Sequence, residues 1–242
     1  MSKRSALAGV DVAVLAGGLG TRLRSVLGDD LPKVLAPVGG RPFLDVLAEW
    51  LGGYGANRLV LCLGHLAAPV VAHAQTLTRP DFEIKAVIEP APLGTGGALR
   101  HAASELRSDP VLVMNGDSWV DADLAGFVAA HRARGAFLSV LCVEVPDASR
   151  YGRVEIDAGG AIRRFVEKDP QSQPGVINAG LYLLSKAALE ALCAADGPSF
   201  ERDFLQAATD GRVVAHLCAG AKFIDIGTPE SFHGAASVID QE

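Results

Sequence analysis

Short apolar runs separated by helical patterns fill the first half of the chain, and this alternation sharply limits the folds open to it. Val12 to Leu15, Leu59 to Leu63 and Val111 to Met114 are too short for helices and too apolar for loops, so they read as buried strands. Phe82 to Ile88 alternates as another. Between and after them, Pro42 to Leu51, Ala67 to about Leu77, Thr95 to Leu106 and Leu124 to Arg134 carry helical spacing, the first with Pro at its opening turn. Strands that alternate with helices imply a mostly parallel sheet covered on both faces.

The second half changes character. Phe137 to Val145, Arg153 to Ile156, Ile162 to Val166 and Val176 to Leu184 read as strands, with the Asp157 to Gly160 turn predicting a hairpin. Helices are expected near Lys186 to Cys193 and Glu201 to Thr209, strands at Val213 to Leu217 and Lys222 to Ile226, and a last helix from Pro229. No repeat, low-complexity stretch or linker interrupts the series. The expected fold is a single Rossmann-like α/β domain with a mostly parallel mixed central sheet flanked by helices.

The 242 residues are 49% hydrophobic and carry a net charge of −6, enough apolar material for a real core and too acidic for a bulk grip on nucleic acid or anionic lipid. Any anionic ligand must therefore be held locally. The uncharged stretch Leu59 to Thr78 has spanning length, but Gly64, His65, Pro69, His73 and Gln75 argue for strand, turn and helix instead. MSKRSALAG runs into Asp11 without the apolar core of a secretory signal, so a cytoplasmic location is expected. Cys62, Cys142, Cys193 and Cys218 are far apart and read as buried free thiols. The six histidines are scattered, and no HExxH or Cys/His cluster suggests zinc.

After the first strand comes Leu15-Ala16-Gly17-Gly18-Leu19-Gly20-Thr21-Arg22. A glycine-rich turn at the carboxyl end of a parallel strand lets backbone N–H groups approach phosphate oxygens closely; a tight turn that binds nothing is the bland alternative. The dinucleotide pattern GxGxxG fails because Leu23 stands where the third glycine belongs, and the P-loop pattern GxxxxGK[ST] is absent. What sets this loop apart is its cations, Arg22 and then Lys33 in Leu31-Pro32-Lys33. A guanidinium grips polyphosphate bidentately and an ammonium acts as a point charge, so a mononucleoside triphosphate fits better than NAD. Asp117 and Asp225 each end an apolar strand, where either could be a cap or turn residue or a cation ligand. Asp121 and Asp123 read as caps of the helix that follows.

GGLGTRLRS followed by LPK resembles the opening of the sugar-1-phosphate nucleotidyltransferases. Glu89 to Ala98 (EPAPLGTGGA) resembles the base-binding loop of that family, and Asn115-Gly116-Asp117 its first metal motif. Tyr151 to Val154, Phe165 to Lys168, Asn178 to Tyr182 and Asp225 to Pro229 resemble its sugar and second metal regions, in the same order. The resemblance implies the nucleotide-diphospho-sugar transferase fold, with residues about 11–135 binding nucleotide and about 136–242 binding sugar. It implies magnesium on Asp117 and Asp225, the departing phosphates on Arg22, the α-phosphate region on Lys33, and the sugar phosphate on Lys168. Leu15, Ala16, Gly17, Gly18, Gly20, Thr21, Glu89, Gly94 and Thr95 complete the implied nucleotide site, and Asn115, Gly152, Glu167 and Asn178 the implied sugar site.

Chemistry narrows the base. A carboxylate at Glu89 accepts hydrogen bonds, and guanine presents N1–H and a 2-amino group together, which favours GTP over the pyrimidine nucleotides. Glu89 read alone is a solvated turn residue, and Asn178 a satisfied core amide. GGLGTRLRS, RPFLDVL, PSFERDFL and FIDIGTPESF together resemble the branch of the family that joins GTP to D-glycero-α-D-manno-heptose 1-phosphate, for capsule or other surface polysaccharide. Val34 stands where many relatives have a second proline. Mannose 1-phosphate, or UTP or dTTP with another sugar phosphate, is the alternative; a nucleotide-sugar sensing domain without turnover is the alternative of a different class. A homo-oligomer is compatible with all of these.

Overall fold

The computed structural model describes residues 5–166, 173–209 and 211–239. Its strands are β1 (Val12–Leu15), β2 (Pro37–Val38), β3 (Arg41–Pro42), β4 (Arg58–Leu63), β5 (Glu83–Ile88), β6 (Val111–Asn115) and β7 (Ser118–Val120). They continue with β8 (Leu138–Val145), β9 (Arg153–Ile156), β10 (Ile162–Val166), β11 (Gly175–Leu184), β12 (Val213–Cys218) and β13 (Phe223–Asp225). The helices are α1 (Arg24–Leu27), α2 (Phe43–Gly53), α3 (Ala67–Leu77), α4 (Gly94–Ala102), α5 (Leu124–Arg134), α6 (Lys186–Ala194) and α7 (Pro229–Ile239).

Nine strands form one sheet along the path β10-β9-β11-β6-β1-β4-β5, with β8 paired to β11 and β12 to β8. β1, β4, β5, β6, β8, β9 and β12 share one direction, and β10 and β11 run against it. This is the mixed, mostly parallel sheet expected. Its two faces follow from strand alternation. Val12, Val14, Leu59, Leu61, Leu63, Leu112 and Met114 point to one core, shared with α2, α3, α5 and α7. Ala13, Val60, Cys62, Val111 and Val113 point to the other, shared with α4, α6 and the 200–205 turn. In α2 the buried Phe43, Leu44, Leu47, Ala48 and Leu51 make a stripe facing the sheet; each large side chain so buried stabilises by roughly 1.5–3 kcal/mol.

Several details depart from expectation. The helix expected through Leu106 ends at Ala102 and continues as a 3-10 turn, Ala103–Glu105. The stretch expected as an α-helix over Glu201 to Thr209 is a wider π-type turn, Phe200–Leu205, started by Ser199, whose hydroxyl accepts from Arg202 N, and anchored by buried Phe200, Phe204 and Leu205. The strand expected at Lys222 to Ile226 does not join the main sheet; β13 pairs with β7, a strand too short to show periodicity. Asp123 caps α5 by accepting from Ala125 N, whereas Asp121 sits outside the cap. Among the cysteines, all free, Cys62 and Cys142 are buried but Cys193 is exposed and Cys218 half-buried. Cys193 ends a short amphipathic helix on its open side, where apolar flanks are no guide. Among the described residues no helix is long and apolar enough to cross a membrane.

Register places the candidate residues. Leu15 lies level with both Cys62 and Asn115, and Leu63 with Ile88. The segments that follow β1, β4, β5 and β6 therefore leave the sheet along one rim, at the carboxyl ends of the parallel strands where such folds bind ligands.

Candidate active site

Along that rim lies a cavity of about 500 Å³. Leu15, Ala16, Gly17, Gly18, Gly20, Thr21 and Arg22 line one side, with Lys33, Glu89, Gly94, Thr95, Asn115 and Asp117 around it. All the residues expected to hold nucleotide thus border one space. Gly20 adopts φ 58°, a left-handed conformation that favours glycine, and its carbonyl accepts from Leu23 N at 2.9 Å as the chain enters a 3-10 turn. Gly17 is needed for another reason: a Cβ there would stand 3.1 Å from Gly64 N. Arg22 is exposed at the mouth and enters no ion pair among the described residues.

Lys33 and Asp117 meet in the cavity wall, Nζ to Oδ2 at 2.5 Å, with side chains 17% and 35% exposed. Asp117 Oδ1 also accepts from Ser118 Oγ at 3.1 Å. The β7–β13 pair brings the second carboxylate near, since Asp225 lies opposite Ser118 and Ile226 N donates to Asp117 O at 2.9 Å. Asp225 Oδ1 accepts from Gly227 N at 2.7 Å. A Cβ on Gly227 would stand 2.6 Å from that oxygen and 3.5 Å from Lys33 Nζ, which puts the ammonium and both aspartates in one patch. Burial first, and then the charge and hydrogen bond of Asp225, push the Tyr151 phenol well above its usual range. It stays a neutral donor beside the carboxylate.

These donors fit magnesium. It takes one or two carboxylates and leaves the remaining positions to water and phosphate, and Asp117 and Asp225 are the two carboxylates that the β7–β13 pair brings near each other.

Glu89, another lining residue, follows β5. Its backbone N donates to Leu63 O at 2.8 Å, and its Oε2 accepts from Leu93 N at 3.2 Å. Gly94 then opens α4 at φ 74°, pressed against Pro198, whose carbonyl accepts from Gly96 N at 2.8 Å. Thr95 borders the cavity, but its hydroxyl turns toward Glu201, donating to Oε2 at 3.0 Å and accepting from Phe200 N at 2.8 Å. Glu201 and His65 also line the cavity and were missed as site residues. Glu201 lies within PSFERDFL, a motif noticed in the sequence without a role. Only the return of that turn onto α4 brings it to the wall.

The residues expected to bind sugar are less gathered. Asn115 lines the cavity; Gly152 and Asn178 are not among its lining residues. Asn178 uses its amide within β11, donating to Tyr182 Oη at 2.7 Å and accepting from Gly180 N at 2.9 Å. Tyr182 Oη in turn donates to Glu201 Oε1 at 3.4 Å, so Asn178 reaches the cavity wall only through two other side chains. Gly152 allows β10 to approach, since a Cβ there would stand 3.2 Å from Val166 O. Glu167 and Lys168 lie outside the described residues.

Residues 12–242 match the protein family described as Nucleotidyl transferase. The chain is 32% identical over 226 residues to a D-glycero-alpha-D-manno-heptose 1-phosphate guanylyltransferase of Aneurinibacillus thermoaerophilus, covering 93% of this chain and 96% of the relative. It is 33% identical over 234 residues to a mannose-1-phosphate guanylyltransferase of Mycobacterium tuberculosis, covering 95% of this chain and 65% of that one. Among solved structures, HddC from Yersinia pseudotuberculosis complexed with GMP-PN is similar at a TM-score of 0.82 and 36% identity, covering 94% of this chain and 98% of the other.

Proposed function

This chain belongs to the nucleotidyl transferase family, and from that premise we propose that it is a sugar-1-phosphate guanylyltransferase whose acceptor is D-glycero-α-D-manno-heptose 1-phosphate. The observation that carries this reading is the single cavity holding a glycine-rich backbone nest, the Lys33–Asp117 pair and the Glu89 carboxylate. A nest and cations suit a triphosphate, and a carboxylate acceptor suits guanine. The heptose acceptor is supported by similarity to the heptose enzyme over nearly the whole of both chains. Mannose 1-phosphate is the second reading, supported by the mycobacterial relative at similar identity.

In this reaction an oxygen of the sugar phosphate attacks the α-phosphorus of GTP, a new P–O bond forms, and pyrophosphate leaves with the electrons of the broken one. The attacking phosphate is already ionised, so no nucleophilic side chain or general base is needed. The protein's task is to position two polyanions that repel each other. The Gly17 to Thr21 amides cradle phosphate oxygens, and Arg22 at the mouth holds the departing end. Lys33, released from Asp117, faces the α-phosphate, while Lys168 is assigned to the sugar phosphate. Magnesium, held by Asp117 and Asp225, would supply charge neutralisation between the phosphates.

Pyrophosphate release from GTP, UTP, dTTP, CTP and ATP, each offered with heptose, mannose, glucose and N-acetylglucosamine 1-phosphates, tests base, sugar and class together. GTP with the heptose is expected to be fastest. A preference for UTP or dTTP refutes the Glu89 argument, faster turnover of mannose 1-phosphate moves the acceptor, and binding without pyrophosphate release leaves a sensing domain.

A further inference from the structure

The Glu89 carboxylate lies in a slot walled by glycines. A Cβ on Gly64 would overlap Glu89 Oε1 and come within 3.0 Å of its Cδ, and one on Gly17 would stand 3.3 Å from the same oxygen. The other carboxylate oxygen accepts from Leu93 N at 3.2 Å. Glu89 forms no ion pair among the described residues, so that amide and the two bare walls define where its charge sits. Gly17 has a role in the phosphate loop. Gly64 does not: it adopts no left-handed φ, and the backbone conformation there would accept alanine.

We infer that Gly64 is a positioning residue for base selection, keeping its place free so that the Glu89 carboxylate can stand between β4 and the glycine-rich loop as a fixed acceptor for guanine. This rests on the guanylyltransferase reading and adds to it a residue that touches no substrate. The physical argument is one of volume. An added methyl would displace the carboxylate, since the far end of a glutamate side chain moves more easily than the Gly17 carbonyl, which lies 3.0 Å from the same Cβ position. A displaced acceptor loses its alignment with the N1–H and 2-amino donors, and hydrogen bonds weaken steeply with misalignment.

The test compares kcat/KM for GTP and for ITP, which lacks only the 2-amino group, in wild type, Gly64→Ala, Glu89→Ala and the double variant. The acceptor is the sugar 1-phosphate that the wild type turns over fastest. Wild type should favour GTP by ~10-fold or more, as expected for a hydrogen bond to a charged group. Gly64→Ala should bring the ratio down to that of Glu89→Ala, and adding Gly64→Ala to Glu89→Ala should change nothing further. An unchanged ratio in Gly64→Ala overturns the inference and leaves the guanylyltransferase reading standing. So does a further loss in the double variant, which would mean that the methyl acts through the Gly17 loop. A wild type that shows no preference for GTP over ITP overturns the inference, and one that also turns over dTTP as fast as GTP in the nucleotide comparison above removes the guanylyltransferase reading with it. Should Gly64→Ala fail to fold, thermal melting of the double variant decides: recovery supports the slot, and no recovery overturns it.

Discussion

The two ends of the parallel strands both carry charged clusters, but of opposite kinds. At the amino end, Arg58 donates to Glu83 Oε2 at 3.1 Å, Asp11 Oδ1 at 3.0 Å, Glu105 O at 2.6 Å and Glu105 Oε2 at 3.0 Å. Asp11 Oδ2 also accepts from the amides of Arg107, at 2.5 Å, and Ser108, at 3.0 Å. Burial opposes ionisation of Asp11, but the Arg107 amide, Arg58 and the Ser108 amide outweigh it and hold the carboxyl below its usual range. At the carboxyl end, Lys33 and Asp117 pair beside a cavity, and Arg22 is exposed at its mouth. The lesson is that an ion cluster whose donors and acceptors satisfy one another ties chain segments together. One that borders a cavity keeps capacity for a ligand.

The sharpest way to break this contrast is Asp117→Asn. Preorganised charge at a reacting phosphate is worth ~100-fold or more in kcat, so turnover should collapse while the melting temperature moves little. Pyrophosphate release within a few-fold of wild type would show that the carboxyl-end pair is as structural as the amino-end one. Arg58→Met is the mirror experiment. It leaves Asp11 and Glu105 without their cation and should cost ~3 kcal/mol in denaturant unfolding, with kcat of the folded enzyme within about two-fold of wild type; a fall in kcat at unchanged stability would reverse the assignment.

Tyr182→Phe sharpens the contrast within the site. It removes the hydroxyl that joins Asn178 to Glu201, and a loss of ~5- to 10-fold in kcat/KM for the sugar phosphate is expected, with KM for GTP unchanged. Equal effects on both substrates would show that the network braces the whole cavity. The smallest effect concerns pH. Because the folded Asp11 carboxyl is held below its unfolded value, its contribution is complete above about 4 and is lost as pH falls through the folded value. Asp11→Asn should therefore flatten the fall in melting temperature below that pH without altering the neutral pH profile of turnover.

Much of the cavity lining was legible because it is local. The order of glycines from Gly17 to Gly20, the cations that follow, and the asparagine and aspartate ending an apolar run are read along a few residues, and parallel register then aligns their strands. Glu89 was legible as a carboxylate beside a proline loop. The residues expected to bind sugar were less so, because their contacts run across the chain. Asn178 matches a motif but uses its amide on Tyr182, and Glu201 becomes a wall only when the 200–205 turn closes on Thr95. The β7–β13 pair that gathers Asp117 and Asp225 joins a strand the sequence announced to one, β7, too short to announce itself, so the pairing was not legible.

By itself the sequence determined the α/β class, the two-sided sheet and the glycine-rich turn that ends the first strand, since hydrophobic period and glycine content act on neighbouring residues. Only the tertiary structure decided which groups share a cavity, that Lys33 pairs with Asp117, and that two glycines distant in the chain leave a slot for Glu89. Contact and excluded volume depend on distance in space, which the order of residues along a chain does not specify.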